Sequence, residues 1–183
     1  MSPLCTLVRV LMSVGYVHVM SRADDIINVA AHRFSTGAIE QAIASHPDIG
    51  ECCVIGVPDS MKGHLPFAFV SLAKHDHPHN AVPADALFKE VNQGVRDQIG
   101  AIASLGGMIQ GAKMIPKTRS GKTLRRVLRE LVENAVHGDF DKEVAVPTTI
   151  EDAEVVNVAR SKIREYFEKK GDLHKSIEAR AKL

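Results

Sequence analysis

The 183-residue sequence is 45% hydrophobic and 25% charged, and its formal net charge is +1. These values predict about one globular domain and exclude a general nucleic-acid binder, which needs a strongly basic surface. The three cysteines form neither a C-x-x-C pair nor a zinc-ligand spacing, so no disulfide framework and no structural metal site are predicted.

Residues 1–14 are apolar and free of acidic side chains, and only Arg9 interrupts them. They are fewer than the roughly 20 apolar residues that a membrane-spanning helix needs, so no membrane span is predicted. We expect a non-homologous or misread leader in residues 1–14. The main domain then covers residues 15–136, and residues 137–183 form a linker, a helix and a tail.

The first predicted elements are strands. Residues 15–29 contain two β-rich runs around a polar turn at residues 21–25, which predicts a hairpin. A helix then begins at Ser35 or Thr36 and stops before Pro47.

The centre of the chain predicts a sheet. Residues 52–57 and 67–72 are short β-branched or aromatic runs, which we interpret as neighbouring central strands. A helix over residues 84–98 and a strand over residues 108–115 follow. The fold class is therefore α+β, with a small mixed sheet flanked by helices.

Histidines alternate along the chain at positions 75, 77 and 79. An extended segment with this spacing could chelate a metal, but Pro78 breaks it and a solvated loop is the favoured interpretation. No metal ligand is predicted.

Positive charge and backbone freedom are most concentrated in residues 116–126, which we interpret as a catalytic loop. Pro116 ends the preceding strand, and Gly121 can adopt the positive φ of a sharp turn with Lys122 at its apex. An amphipathic helix follows, with apolar side chains at helical spacing: Leu124, Val127, Leu128, Leu131 and Ala135.

A phosphate-binding P-loop is one alternative for this stretch, because Gly121, Lys122 and Thr123 copy the end of G-x-x-x-x-G-K-[ST]. That motif requires glycine where this chain has Pro116, which has no N–H to offer a phosphate. A P-loop NTPase is therefore disfavoured.

Beyond residue 136, Gly138 and Pro147 mark a linker. Thr148 and Glu151 predict a capping box for one more helix, which Gly171 ends. Its apolar stripe comprises Val155, Ala159, Ile163, Tyr166 and Phe167.

Residues 116–122 read Pro-Lys-Thr-Arg-Ser-Gly-Lys, and they resemble the P-K-T-x-S-G-K signature of acyl-adenylate-forming enzymes. The resemblance implies that Lys122 is the catalytic lysine that reaches the carboxylate and the AMP phosphate during adenylation. A flexible ammonium can neutralise the charge that develops there as pyrophosphate leaves.

Residues 22–33 resemble a second motif of the same enzymes, G-R-x-D-D-x-I-N-V-x-G-H-R. By this resemblance Arg22 contacts the nucleotide, Asp24 is the hinge of a rotating C-terminal domain, and Arg33 contacts coenzyme A. Ala31 replaces the usual glycine at the wall of the pantetheine tunnel. Ser21 replaces another glycine before Arg22.

Two weaker matches narrow the resemblance to acetyl- and propionyl-CoA synthetases, which are short-chain acyl-CoA synthetases. Residues 62–66 resemble their K-G-x-x-P connection, and residues 95–100 resemble V-R-x-x-I-G, whose arginine approaches coenzyme A and implies this role for Arg96. Residues 149–152 resemble the tail of propionate-type enzymes.

The resemblance implies the C-terminal lid of an enzyme that makes acyl-CoA from a small carboxylic acid, ATP and coenzyme A. The acid is expected to be propionate or acetate. Mg2+ is expected to accompany ATP and to be bound by an N-terminal adenylation domain that this chain lacks, so the isolated chain is expected to be inactive. The alternative is a non-enzymatic regulatory or interaction module derived from such a lid.

The last residues, Ala181, Lys182 and Leu183, resemble the small-basic-leucine peroxisomal signal. They predict a peroxisome-like organelle, with the cytosol or the mitochondrion as alternatives.

Overall fold

A computed structural model describes residues 7–11, 17–22, 25–59, 61–73 and 84–181, and it places the side chains of residues 25–59, 61–73 and 84–171. The strands are β1 (Leu7–Leu11), β2 (Val17–Arg22), β3 (Ile26–Val29), β4 (His32–Ser35), β5 (Ile49–Asp59), β6 (Gly63–Leu72) and β7 (Gly107–Gln110). The helices are α1 (Thr36–Ala44), α2 (Ala84–Gln98), α3 (Arg125–Val136) and α4 (Glu154–Ala181), with a short 3-10 helix at Ala101–Ala103.

Five strands form one mixed sheet, which confirms the predicted α+β class. The order is β4-β3-β6-β5, all antiparallel, and β7 pairs with β6 in parallel. Strand β6 is central, as predicted. Strand β5 is not central, because β6 is its only strand neighbour in the described part of the chain.

The sheet separates two apolar cores, because alternate residues of a strand point to opposite faces. Cys53, Ile55, Phe67 and Phe69 pack with α3 and α4 on one face, whereas Val54, Ala68 and Val70 pack with α1 and α2 on the other. Residues 137–171 thus share a core with the main domain, through Val144, Val156, Ala159 and Ile163.

The hairpin predicted around residues 21–25 is wrong. Strand β2 pairs with β1 in a separate two-stranded sheet, whereas β3 pairs with β4 and β6. Ser21 and Arg22 are strand residues. The tight turn lies instead between Val29 and His32, which face each other across β3 and β4.

The last strand of the sheet is shorter than predicted. It ends at Gln110 instead of residue 115, because Lys113 has a φ of 51°, which no strand accommodates. Met114 and Ile115 are nevertheless buried, so their apolar character reflects core packing.

The last helix differs from its prediction at both ends. It begins at Glu154, whose N–H donates to Asp152 Oδ1 at 2.9 Å, so Asp152 and not Thr148 supplies the cap. The helix continues through Gly171 to Ala181, because one glycine does not end a helix that is already formed. The localisation signal stays a prediction, since Lys182 and Leu183 lie outside the described residues.

None of the helices in the described part of the chain combines the length and the apolar character that a membrane-spanning helix requires.

Candidate active site

The predicted catalytic loop is a small hairpin. Lys117 and Thr123 face each other as an isolated bridge, and the Thr118 N–H donates to the Lys122 carbonyl at 2.9 Å. The Gly121 N–H donates to the Thr118 carbonyl at 2.8 Å, and Gly121 has the predicted positive φ, at 78°. Lys122 therefore lies on the returning limb, just after the tip and not at the apex.

Side-chain hydroxyl groups within the turn stabilise it. Thr118 Oγ1 accepts a hydrogen bond from the Lys122 N–H at 3.1 Å and lies 3.0 Å from Ser120 Oγ. The Lys122 side chain itself is exposed. Its backbone is consequently fixed while its ammonium remains free to reach an anion outside the chain.

The start of the loop is tied to the sheet. Pro116 is buried, and its carbonyl accepts a hydrogen bond from the Leu124 N–H at 2.8 Å. The Lys117 ammonium lies 2.7 Å from Glu51 Oε1 on β5. These contacts fix the position of the turn relative to the core.

Helix α3 begins three residues after Lys122, and its first residue holds a partly buried ion pair. Arg125 Nη2 lies 2.7 Å from Glu40 Oε2 on α1, and Arg125 Nε donates to Glu40 Oε1 at 3.2 Å. Glu40 Oε1 also accepts from the Val54 N–H at 2.8 Å, so α1, β5 and α3 meet at one carboxylate. Burial lowers the pKa of Arg125, but the hydrogen bonds and charge of Glu40 outweigh it and raise that pKa above its ordinary value.

The same guanidinium reaches towards the predicted hinge. Arg125 Nη1 lies 3.5 Å from Asp25 Oδ1, and Asp25 follows Asp24 in the sequence. Asp24 lies outside the described residues, and Arg22 is described only as the last residue of β2. Within the described residues, the ion pair of Asp25 and Arg125 therefore connects the predicted hinge region to α3, the helix that follows Lys122.

The predicted coenzyme A residues lie on the β3–β4 hairpin and on α2. Ala31 belongs to the turn between β3 and β4, Arg33 lies on β4, and Arg96 lies in the last turn of α2. All three are exposed. In the described part of the chain, no hydrogen bond or ion pair joins them to the Lys122 turn.

The turn at Ala31 has an unusual backbone for its residues. Ala30 and Ala31 have φ values of 47° and 70°, and they are the two central residues between the paired Val29 and His32. Two-residue hairpin turns of this kind favour Asn-Gly or Gly-Gly. The backbone of this turn is therefore a reason for glycine at position 31, apart from the tunnel wall that the resemblance implies.

Residues 38–122 match the family model of the AMP-binding enzyme C-terminal domain. The acyl-CoA synthetase short-chain family member B of Dictyostelium discoideum is 44% identical over 142 residues, which are 78% of this chain and 19% of that protein. The acetyl-coenzyme A synthetase of Shewanella denitrificans is 41% identical over 138 residues, or 75% of this chain and 20% of that protein. The chain contains an AMP-binding enzyme C-terminal domain.

A solved structure agrees with this assignment. The crystal structure of Brucella canis acyl-CoA synthetase matches with a TM-score of 0.55 and 31% identity, covering 70% of this chain and 22% of that one. The chain spans about a fifth of the length of the curated relatives that it matches.

The family match ends at Lys122, the last residue of the signature. Helix α3, the linker and α4 lie beyond it, although α3 and α4 complete one of the two cores. The domain of this chain is thus a larger folded unit than the family model.

The sequence patterns predicted neither Glu40 nor Arg125 as a site residue. Neither residue departs from the pattern of an ordinary amphipathic helix, so only the folded arrangement of α1, β5 and α3 brings their side chains together. The predicted absence of a metal site stays a prediction at the three histidines, which lie outside the described residues. Within the described residues, no group of three or more His, Cys, Asp or Glu side chains could hold a metal ion.

Proposed function

We propose that this chain is the C-terminal lid of an acid:CoA ligase that makes acyl-CoA, AMP and pyrophosphate from a carboxylate, ATP and coenzyme A. The observation that carries the proposal is the Lys122 turn, whose backbone is held by hydrogen bonds while its ammonium is exposed. The names of the curated relatives support the same class of reaction.

The first half-reaction requires a mobile cation. A carboxylate oxygen attacks the α-phosphorus of ATP, the acyl-adenylate forms, and the bond to pyrophosphate breaks. The Lys122 ammonium stabilises the negative charge shared by the carboxylate and the α-phosphate in that transition state. The ATP and carboxylate pockets, together with Mg2+, belong in this proposal to an N-terminal adenylation domain.

The second half-reaction needs another face of the same domain. The thiol of coenzyme A attacks the acyl carbon, and AMP leaves with the electron pair of the broken bond. Arg33 and Arg96 are exposed cations suited to the phosphates of coenzyme A, and Ala31 borders the path of the pantetheine arm. Asp24 is the proposed hinge between the two arrangements, and Arg22 the contact to the nucleotide.

The acid that we propose is propionate or acetate, following the short-chain relatives. Its pocket belongs to the adenylation domain, so residues of this chain do not select it.

A domain exchange tests the proposal. The C-terminal part of the Shewanella denitrificans acetyl-coenzyme A synthetase is replaced by this chain, and the chimera is assayed for pyrophosphate release and for acetyl-CoA formation from synthetic acetyl-adenylate. We expect both activities. A folded chimera that lacks both contradicts the proposal and favours a non-enzymatic module.

Two substitutions in the chimera then test the role of Lys122. Lys122→Ala is expected to lower adenylation by about 10²- to 10³-fold, as for the loss of one preorganised stabilising group, and to leave thiolation within a few-fold. Lys142→Ala, which removes another exposed ammonium, is the matched control and should change neither half-reaction. An equal loss in both half-reactions would show that Lys122 is a structural residue.

A further inference from the structure

Residues 147–152, here termed the strap, lie against the outer side of the Lys122 turn. The Arg119 N–H donates to the Thr149 carbonyl at 3.0 Å, and the Glu151 N–H donates to the Lys117 carbonyl at 2.9 Å. Thr118 and Ile150 face each other as an antiparallel bridge between these two bonds. The strap therefore adds a third short strand to the hairpin that carries Lys122.

A third strand matters because an isolated two-stranded hairpin is at best marginally stable in water. The limb before the tip, residues 117–119, lies between the strap on one side and residues 122–123 on the other. Its backbone groups are thus paired in both directions. Residues 122–123 pair with this central strand, so the strand holds the backbone of Lys122 in place.

The strap is itself anchored to the core through Ile150 and through the start of α4. The Ile150 N–H donates to the Pro147 carbonyl at 3.1 Å and closes a β-turn, and the Ile150 side chain packs against the core shared by α3 and α4. Two residues later, Asp152 caps α4, whose Ala159 and Ile163 are almost completely buried. The position of the strap consequently follows the position of α4.

We infer that the strap positions Lys122 for the adenylation step, and that α4 serves the reaction by holding the strap. The inference rests on the proposed function of Lys122, and it assigns a role to residues that lie beyond the family match. The strap residues are positioning residues, because their contacts are to the turn and not to the reacting groups. Positioning carries a large effect, since a misplacement of about 1 Å can cost roughly 10²-fold in rate.

The first test uses the 183-residue chain and needs no activity. Glu151→Pro deletes the N–H that binds the Lys117 carbonyl, whereas Thr148→Pro is the matched control, because position 148 is the second residue of the β-turn, where proline is favoured. Hydrogen–deuterium exchange is followed by mass spectrometry in peptides covering residues 117–123. We expect exchange about tenfold faster in Glu151→Pro and unchanged in Thr148→Pro, with α3 peptides unchanged in both.

If Glu151→Pro also exposes the α3 peptides, the variant has lost its fold, and Ile150→Ala takes its place. This substitution keeps every backbone N–H and removes the apolar anchor of the strap. Unchanged exchange in residues 117–123 of a folded strap variant would overturn the inference.

The second test uses the chimera with the adenylation domain. A strap variant is expected to lower adenylation about tenfold and to leave thiolation of preformed acetyl-adenylate unchanged, because only the first step needs Lys122 in place. A loosened turn with unchanged adenylation would overturn the positioning role. If the wild-type chimera shows no adenylation, the proposed function is contradicted, and the positioning role is contradicted with it. Hydrogen exchange still decides whether the strap fixes the turn.

Discussion

Arg125 and Glu40 lie 85 positions apart in the sequence and form a two-point ion pair, with Nη2 at 2.7 Å from Oε2 and Nε at 3.2 Å from Oε1. Less than a third of either side chain is exposed. The same carboxylate accepts the Val54 N–H, so its loss leaves an amide of β5 without its partner and a half-buried guanidinium with the more distant Asp25, at 3.5 Å. This ion pair connects the helix behind Lys122 to the sheet.

We expect Glu40→Ala to lower the free energy of unfolding by about 2 kcal/mol, because groups that lose a buried charged partner keep their desolvation cost. Urea unfolding measures the change. The control is Lys169→Ala, which breaks an exposed pair with Glu165 on one helix face and should change the free energy of unfolding far less than Glu40→Ala.

Arg125→Lys distinguishes the geometry of the pair from its charge. A lysine retains the positive charge but cannot make the two-point contact, so it should recover only part of the stability lost in Arg125→Ala. Full recovery would show that the charge alone matters.

A second prediction concerns Ala31. Its φ of 70° lies in the left-handed region, where a side chain costs about 1 kcal/mol relative to glycine. Ala31→Gly should therefore raise the free energy of unfolding by about that amount, as measured by urea unfolding. Ala44→Gly, at the last residue of α1 where φ is helical, is the opposite control and should lower it, by less than the roughly 1 kcal/mol of a helix interior.

The same variant addresses the coenzyme A path. In the chimera, Ala31→Gly is expected to lower the KM for coenzyme A, because the removed methyl group borders the proposed pantetheine tunnel. A KM that stays constant while stability rises would assign the glycine preference to the backbone alone.

The two neighbouring cysteines give a third prediction. Burial, together with the negative charges of Glu40 and Glu51, raises the pKa of the Cys52 thiol to about 11, and burial raises the pKa of Cys53 further above its usual range. At pH 8 only about one Cys52 in a thousand is then a thiolate. Iodoacetamide should label both residues roughly a hundredfold more slowly in the folded chain than in urea, as read from peptide masses.

The direction of the pH dependence follows from these raised values. A thiol whose pKa is higher in the folded state stabilises the fold fully below its unfolded pKa, near 8.5, and this contribution is lost as the pH rises towards the folded pKa. Unfolding should thus become easier above about pH 9. Equal stability of the wild type at pH 8 and pH 10, or an equal loss in the wild type and in Cys53→Ala, would contradict this account.

Local patterns in the sequence were sufficient to predict much of this fold. The β-branched and aromatic runs of β5 and β6, the helical spacing of α3 and the positive φ of Gly121 all depend on neighbouring residues, and the structure confirms them. The pairing of β3 with β6 and the pairing of the strap with the Lys122 turn depend on contacts between distant segments. Composition and spacing within one segment carry no information about these contacts.

The residues of the candidate site also differ in whether the sequence could predict them. Lys122 was found because a seven-residue motif surrounds it, whereas Arg125 stands three residues away in an ordinary amphipathic pattern. Its partner Glu40 lies 85 positions away on another helix, so it could be identified only from the fold. Residues that hold a reactive group in place thus leave a weaker sequence signal than the group itself.

The last prediction concerns the docking of α4 on the sheet. A methyl group on Gly107 of β7 would overlap the Tyr166 hydroxyl and approach Phe67 Cε2 to 2.5 Å. Tyr166 also packs edge-on against Phe67, with ring centroids 5.4 Å apart. Gly107→Ala should therefore push α4 away from the sheet and lower the free energy of unfolding by about 1–3 kcal/mol, as overpacking does elsewhere.

Gly94→Ala is its matched control, because the same methyl group on α2 meets no atom within 4 Å in the described structure. Alanine is the better helix former, so this variant should be more stable by about 0.5–1 kcal/mol. Since α4 holds the strap through Asp152, Gly107→Ala should also accelerate hydrogen exchange in residues 117–123, and Gly94→Ala should not. A destabilised Gly107→Ala variant with normal exchange in the turn would separate the docking of α4 from the position of Lys122.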